Sequence, residues 1–181
     1  THDIYGAEIE KFELIIENFY SVCKKFNFQS IQTPIIEKED LFSRTVGEQT
    51  DIVSKEMYSF LDKGEEYICL RPEATSSLAR FAASNYQSGL LKLITHGPMF
   101  RRERPQKGRF RQFHQINIEC IGEKSSYVDF ELILIAKLLF NDLGVKDNKY
   151  RLLINSLGSK EDQIKYANIL KKYLIEFKKQ L

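Results

Sequence analysis

Between Arg101 and Arg111 the sequence places six cationic side chains (Arg101, Arg102, Arg104, Lys107, Arg109, Arg111) and a single acid, Glu103. Guanidinium groups at this density suit a polyanion, because each can bond a phosphate through two parallel N–H donors. Six positives against one acid leave +5 on the segment, and therefore −3 on the rest of a chain whose net charge is +2. The basicity is local. That fits a phosphate-bearing ligand better than nonspecific coating of nucleic acid. Pro105 and Gly108 mark a turn in its middle and β-prone runs flank it, which predicts a strand, a basic loop and a strand across Thr95–Gly122.

Alternation along a strand sends every second side chain to one face. Arg101 and Glu103, read as part of the outgoing strand, would share a face, and Arg109 and Arg111 would repeat that spacing on the return. A lone Arg–Glu pair is worth at most about 1 kcal/mol as a surface ion pair. The returning face, however, continues through Phe113, Gln115, Asn117 and Glu119, where a packed strand would carry apolar residues. Such a face reads as a wet, ligand-holding surface. On it Phe113 is either a core phenylalanine, the reading its type alone favours slightly, or an aromatic that stacks on a base. His114 falls on the opposite face and reads as a hydrogen-bonded structural histidine. Upstream, Glu73 and Thr75 open a helix after a strand, so they either cap it or hold an ammonium group. No Ser-His-Asp arrangement and no glycine-rich phosphate loop stands out.

These residues need a scaffold. Apolar positions from Ile9 to Phe26 recur at helical spacing over residues 5–26. Phe28 to Pro34 reads as a short strand ended by proline; on residues alone its Pro34 edge, with Ile35 and Ile36 following, reads as core, with a subunit contact as the alternative. Residues 39–46 suggest a short helix. Met57–Leu61 and Tyr67–Leu70 around Asp62-Lys63-Gly64 suggest a hairpin. A helix is predicted from Arg71-Pro72, with Pro72 at its first position, to about Tyr86. Strand signals at Leu91–Thr95 lead into the basic hairpin. A helix follows from Ser125 or Ser126 to Leu143-Gly144, then a strand over Tyr150–Asn155, then a charged helix over 159–181 with an apolar stripe. Hairpins with interspersed helices predict an α+β fold, an antiparallel sheet flanked by helices, and residues 1–181 read as one domain.

At 181 residues the chain can bury one sizeable core, and 43% hydrophobic with 29% charged residues is ordinary for a soluble globular domain. No apolar run is long enough to span a bilayer and no signal pattern opens the chain, so no membrane association is expected. Cys23, Cys69 and Cys120 lie far apart with no CxxC pairing. They point to a reducing compartment, hence a cytoplasmic protein, and away from zinc.

Three separated blocks carry a resemblance that covers nearly the whole chain. FQSIQTPIIE at 28–37 is similar to motif 1 of the class II aminoacyl-tRNA synthetases, and Phe100-Arg101-Arg102-Glu103 through Gly122 resembles motif 2. RPEAT at 71–75 and RPQKGRFRQFHQ at 104–115 resemble the histidyl-tRNA synthetase family in particular. The resemblance implies a class II synthetase-like catalytic core and a histidine–tRNA ligase reaction with ATP, L-histidine and tRNA(His). It implies a homodimer through the motif 1 region, which replaces the core reading of Pro34. Arg101 would be the catalytic residue, binding the α-phosphate and the histidine carboxylate. Glu103 would accept from the adenine amino edge, Arg109 would reach the γ-phosphate, and Phe113 would stack on adenine. Glu73, Ala74, Thr75 and Gln115 would surround the α-amino group, Glu119 would accept from the imidazole, and Gln106 would lie near the tRNA acceptor end. Mg2+ would accompany ATP, with no dedicated metal cage.

Nothing in the chain resembles the family's motif 3 arginine, its GGGRYD-like segment or an anticodon-binding domain. The expectation is an amino-terminal part of the catalytic domain that does not make histidyl-adenylate by itself, with its last helix entering an insertion. A non-catalytic histidine-binding paralogue, such as the regulatory subunit of ATP phosphoribosyltransferase, is the competing class, and the intact basic loop disfavours it. A plain RNA-binding module fits less well, since the aromatics are not interleaved through the charge.

Overall fold

The computed structural model describes residues 2–46, 56–104, 106–155 and 158–178. By internal contacts the chain divides into two units, Thr1–Val145 and Lys146–Leu181.

In the first unit α1 (Ala7–Lys25) buries Phe19, Val22 and Cys23, the apolar side of the predicted amphipathic helix. Two three-stranded sheets follow. One has the order β1 (Gln29–Ser30), β5 (Leu91–Phe100), β6 (Gln112–Ile121); the other has β2 (Ile36–Lys38), β4 (Tyr67–Leu70), β3 (Tyr58–Leu61). The α+β class stands. The expected antiparallel sheet is two sheets, and β1 pairs parallel with β5, Gln29 opposite Leu93.

The β3–β4 turn forms where the Asp/Gly signal lies: Asp62 Oδ1 accepts from Gly64 N at 2.8 Å and Glu66 N at 3.0 Å. Helix α2 (Glu39–Val46) matches its predicted span. Helix α4 (Ser126–Asp142) starts at Ser125, whose side chain accepts from Tyr127 N, and ends before Gly144 at φ 73°.

The core of this unit lies between α1, α4 and one face of the β1-β5-β6 sheet. Phe19, Val22, Cys23, Phe28, Ile94, Ile135 and Leu139 are buried together, and Ile118 and Cys120 pack against them. Ile35 and Ile36, read as core from the residues alone, are exposed. Ile36 lies on the face of β2 opposite the buried Glu37.

Helix α3 runs Thr75–Asn85, four residues short of the predicted start at Arg71-Pro72. Arg71 and Pro72 are engaged elsewhere: the Arg71 carbonyl accepts from Phe100 N at 3.0 Å and the Pro72 carbonyl from Arg101 Nε at 3.0 Å. Backbone committed to a strand end cannot also start a helix.

In the second unit α5 (Lys160–Glu176) begins with a capping box, Ser159 and Asp162 bonding each other's backbone N–H. Hydrogen bonds from Ser159 hold the Asp162 carboxyl below its usual range. The last residues predicted helical, 179–181, lie outside the described residues. Tyr150–Asn155 is not a strand. Its Leu152, Leu153 and Ile154 are exposed, and an apolar run becomes a strand only where a ladder partner receives it.

Candidate functional site

Antiparallel pairing of β5 with β6 sets Met99 opposite Phe113, Gly97 opposite Gln115, Thr95 opposite Asn117 and Leu93 opposite Glu119. Directly opposed side chains share a face. The polar face predicted for the returning strand therefore exists, and β5 gives it a floor of mostly small or apolar residues.

Helix α3 meets that face at its N-terminus. Thr75 Oγ1 donates to Glu119 Oε1 at 2.6 Å and accepts from Asn117 Nδ2 at 3.5 Å. The carboxylate of Glu73 accepts from Thr75 N at 2.7 Å and Ser76 N at 2.8 Å. It satisfies two of the helix's four orphan donors and complements the positive helix end. Ala74 is buried beneath it. Two carboxylates thus flank Thr75, and each oxygen keeps a second lone pair for a cationic donor.

Arg101 sits just past the end of β5. Its Nε donates to Pro72 O, its Cζ lies 5.1 Å from the centroid of the Phe113 ring, and its two Nη groups have no hydrogen-bond partner among the described residues. A cation over an aromatic face gains about 1 kcal/mol and stays available to an anion.

Buried polar atoms normally find partners. Three here do not: Ser77 Oγ on α3, Thr95 Oγ1 on β5 and Gln115 Oε1 on β6 lack any among the described residues. Thr95 and Gln115 are diagonal neighbours on the polar face, so the unsatisfied capacity concentrates beside Thr75, Asn117 and Glu119. This arrangement can take an ammonium or imidazole on the carboxylates and a phosphate or carboxylate at Arg101.

A family model described as histidyl-tRNA synthetase matches residues 1–159. The chain belongs to the histidyl-tRNA synthetase family. The histidine–tRNA ligase of Novosphingobium aromaticivorans is 43% identical over the whole chain, which covers 44% of that protein. That of Hydrogenovibrio crunogenus is 44% identical over 99% of the chain and 42% of its own length. The chain therefore spans less than half of these relatives. The apo histidyl-tRNA synthetase of S. aureus superposes with a TM-score of 0.75 at 30% identity, covering the whole chain and 42% of that structure. A structure titled ATP phosphoribosyltransferase regulatory subunit/histidyl-tRNA synthetase, from Bacillus halodurans, superposes at 0.70 with 21% identity over 81% of this chain and 37% of that one, a likeness of fold alone.

The motif 2 segment of this synthetase-family chain is less strand-like than its spacing suggested. β5 stops at Phe100 and β6 starts at Gln112, so Arg101, Glu103, Arg109 and Arg111 lie in the loop and period-two spacing does not order them. The loop is closed by Arg101 N to Arg111 O at 3.0 Å and by a bridge between Gln106 and Arg109, with Gly108 at φ 80°. Arg109 Nη1 pairs with Glu103 Oε2 at 3.3 Å, and Arg111 Nε donates to Glu103 O at 3.4 Å. The structure thus joins Glu103, Arg109 and Arg111 to each other. It sets Gln106 exposed near the loop tip. Pro105 lies outside the described residues.

His114 faces away from the site as expected but is exposed and touches Phe12 edge-on at 5.2 Å between centroids. The histidine in a side-chain hydrogen bond is His96, with Nδ1 2.8 Å from Tyr20 Oη. Among the described residues no group of three or more His, Cys, Asp or Glu side chains is arranged for a metal ion.

Sequence reasoning missed Thr95, Ser77 and Arg71. Thr95 sits in an apolar run and Ser77 in a helix, and neither signals burial without a partner. Arg71 carried a signal: a cation directly before Pro72, next to predicted site residues. It is buried, and burial pushes its guanidinium below the ordinary arginine range while Glu37 opposes the shift.

Proposed function

We propose that this chain carries the amino-acid- and nucleotide-binding wall of a histidine–tRNA ligase. The carboxylate of L-histidine attacks the α-phosphorus of ATP, the bond to the bridging oxygen breaks, and pyrophosphate leaves with that electron pair. A hydroxyl of the terminal ribose of tRNA(His) then attacks the acyl carbon of histidyl-adenylate, the acyl–phosphate bond breaks, and AMP leaves. Such a displacement needs positioning and charge stabilisation more than a protein base. Arg101 holds the carboxylate against the α-phosphate through its Nη groups. Glu73 and Thr75, with Gln115, orient the α-amino group, and Glu119 fixes the imidazole. Phe113 stacks on adenine, Glu103 meets its amino edge, and Arg109 reaches the γ-phosphate once it leaves Glu103. Magnesium, when bound to the triphosphate, neutralises charge on the leaving pyrophosphate. Gln106 sits on the tRNA side, and the exposed Pro34, Ile35 and Ile36 form part of a homodimer contact in a cytoplasmic enzyme.

The observation that supports this reading best is the pair of buried atoms without a hydrogen-bond partner among the described residues, Thr95 Oγ1 and Gln115 Oε1, beside the Thr75–Glu119 hydrogen bond. The test is titration of the chain with a non-hydrolysable ATP analogue in a calorimeter. Binding by the wild type and at least tenfold weaker binding by Arg101→Ala are expected, since lost charge-assisted bonds cost about 1.5–3 kcal/mol. A wild-type chain that binds histidine and no ATP analogue would instead fit the regulatory paralogue.

A further inference from the structure

Arg71 is 4% exposed, and its Nε and Nη1 donate to backbone and hydroxyl oxygens. Its Nε donates to Pro98 O at 3.0 Å, and its Nη1 donates to Thr33 O at 2.9 Å and Thr33 Oγ1 at 3.1 Å. Its backbone N–H donates to Ile35 O at 2.9 Å and its carbonyl accepts from Phe100 N at 3.0 Å. The guanidinium fills the space where glycine leaves room: a Cβ on Gly97 would meet Nη2 at 2.5 Å. Burying a guanidinium is costly unless its donors are met, and an apolar side chain would fill the same volume without that cost. An arginine here is therefore held for its fork of donors, which spans two chain segments at once.

Those segments converge on Arg101. Thr33 and Ile35 belong to the motif 1 block, and Pro98 and Phe100 are the end of β5. The next residue, Pro72, turns its carbonyl to Arg101 Nε. With Nε so held and the head over Phe113, only the Nη groups face outward. Glu73, one residue further, caps α3.

We propose that Arg71 is the positioning residue for Arg101: by tying Thr33 and Pro98 to the Arg71-Pro72 backbone it fixes the carbonyl that orients the Arg101 guanidinium toward an anionic ligand. The ligand part rests on the proposed function; the orientation part does not. The prediction is coupling between the motif 1 block and the Arg101 head, with Arg71 as the side-chain link between them.

The experiment follows the arginine Nε–Hε signals of the 15N-labelled chain by NMR, assigning that of Arg101 by its loss in Arg101→Lys, and titrates each variant with the ATP analogue. In the wild type the Arg101 signal is expected to be dispersed and slow to exchange. In Arg71→Lys, which puts one ammonium nitrogen where two guanidinium nitrogens reach Pro98 and Thr33, it should move to the position of solvent-exposed arginines. Analogue binding should weaken about tenfold, while the methyl signals of Ile94 and Ile135 in the core stay in place. Thr33→Val, which deletes only the Oγ1 acceptor, should move the same signal less and in the same direction, and it decides the matter if Arg71→Lys does not fold. An Arg101 signal that stays put in the folded variants, or that moves only together with the core methyls, overturns the proposal. A wild type that binds no analogue while the signal still responds defeats the ATP reading and leaves the positioning role standing.

Discussion

The two faces of β6 are made from alternate residues of one strand and behave oppositely. Toward α1 and α4, Ile118 and Cys120 join a core of Phe19, Val22, Cys23, Phe28, Ile94, Ile135 and Leu139. The polar groups at the edge of that core are matched: Tyr20 with His96, and Lys92 with Glu131 at 2.6 Å and with Phe26 O at 3.2 Å. Toward α3, Phe113, Gln115, Asn117 and Glu119 face a helix end where, among the described residues, three buried polar atoms go unmatched. Each such atom costs about 1–3 kcal/mol, a large share of the stability of a marginal fold. One face is optimised for folding. The other keeps hydrogen-bonding capacity that the fold does not use, as a ligand site would.

If the faces are independent in this way, damage to them should separate. Phe19→Ala should lower stability to urea by about 3–5 kcal/mol through lost burial and a cavity, with ligand affinity of the folded protein changed less than about twofold. A large affinity change would show that the core face also shapes the site. Thr95→Val should do the reverse. Removing a buried hydroxyl without a partner should raise stability by about 1 kcal/mol and weaken histidine binding; a loss of stability would mean that Thr95 has a structural partner.

The smallest effect sharpens the comparison at the matched edge. Burial, with added repulsion from His114 and Arg71, lowers the proton affinity of His96 below the ordinary 6.5. The unfolded chain then takes up the proton first as pH falls, so the unfolded state gains. Stability from this group is complete above 6.5 and declines as pH falls toward the folded value. Urea midpoints should drop modestly between about pH 7 and pH 5, and His96→Gln should flatten that slope. An unchanged slope would place its origin elsewhere.

Much of the scaffold was legible because its signals are local. Helices α1, α4 and α5 follow from apolar periodicity and caps at Ser125 and Ser159, and the β3–β4 hairpin follows from Asp62 and Gly64. The polar face of β6 was legible for the same reason, since period two needs no knowledge of the partner strand. What escaped depends on tertiary partners. The start of α3 is delayed because Phe100 and Arg101 claim the carbonyls of Arg71 and Pro72. The arginines at 101, 109 and 111 are ordered by loop hydrogen bonds, which spacing does not encode. Thr95 matters only because α3 and β6 bury it. Arg71 matters because Gly97, Thr33 and Pro98 come from distant parts of the chain to meet it.

The central claim is that ligand engages one face of β6 and leaves the other untouched. Titration of the labelled chain with L-histidine and the ATP analogue, followed by side-chain NMR signals, tests this directly. The side-chain amides of Gln115 and Asn117 and the ring of Phe113 should shift on saturation, while the methyls of Ile118 and Ile94 hold their positions. Shifts distributed over both faces, or none on Gln115 and Asn117, would contradict the account.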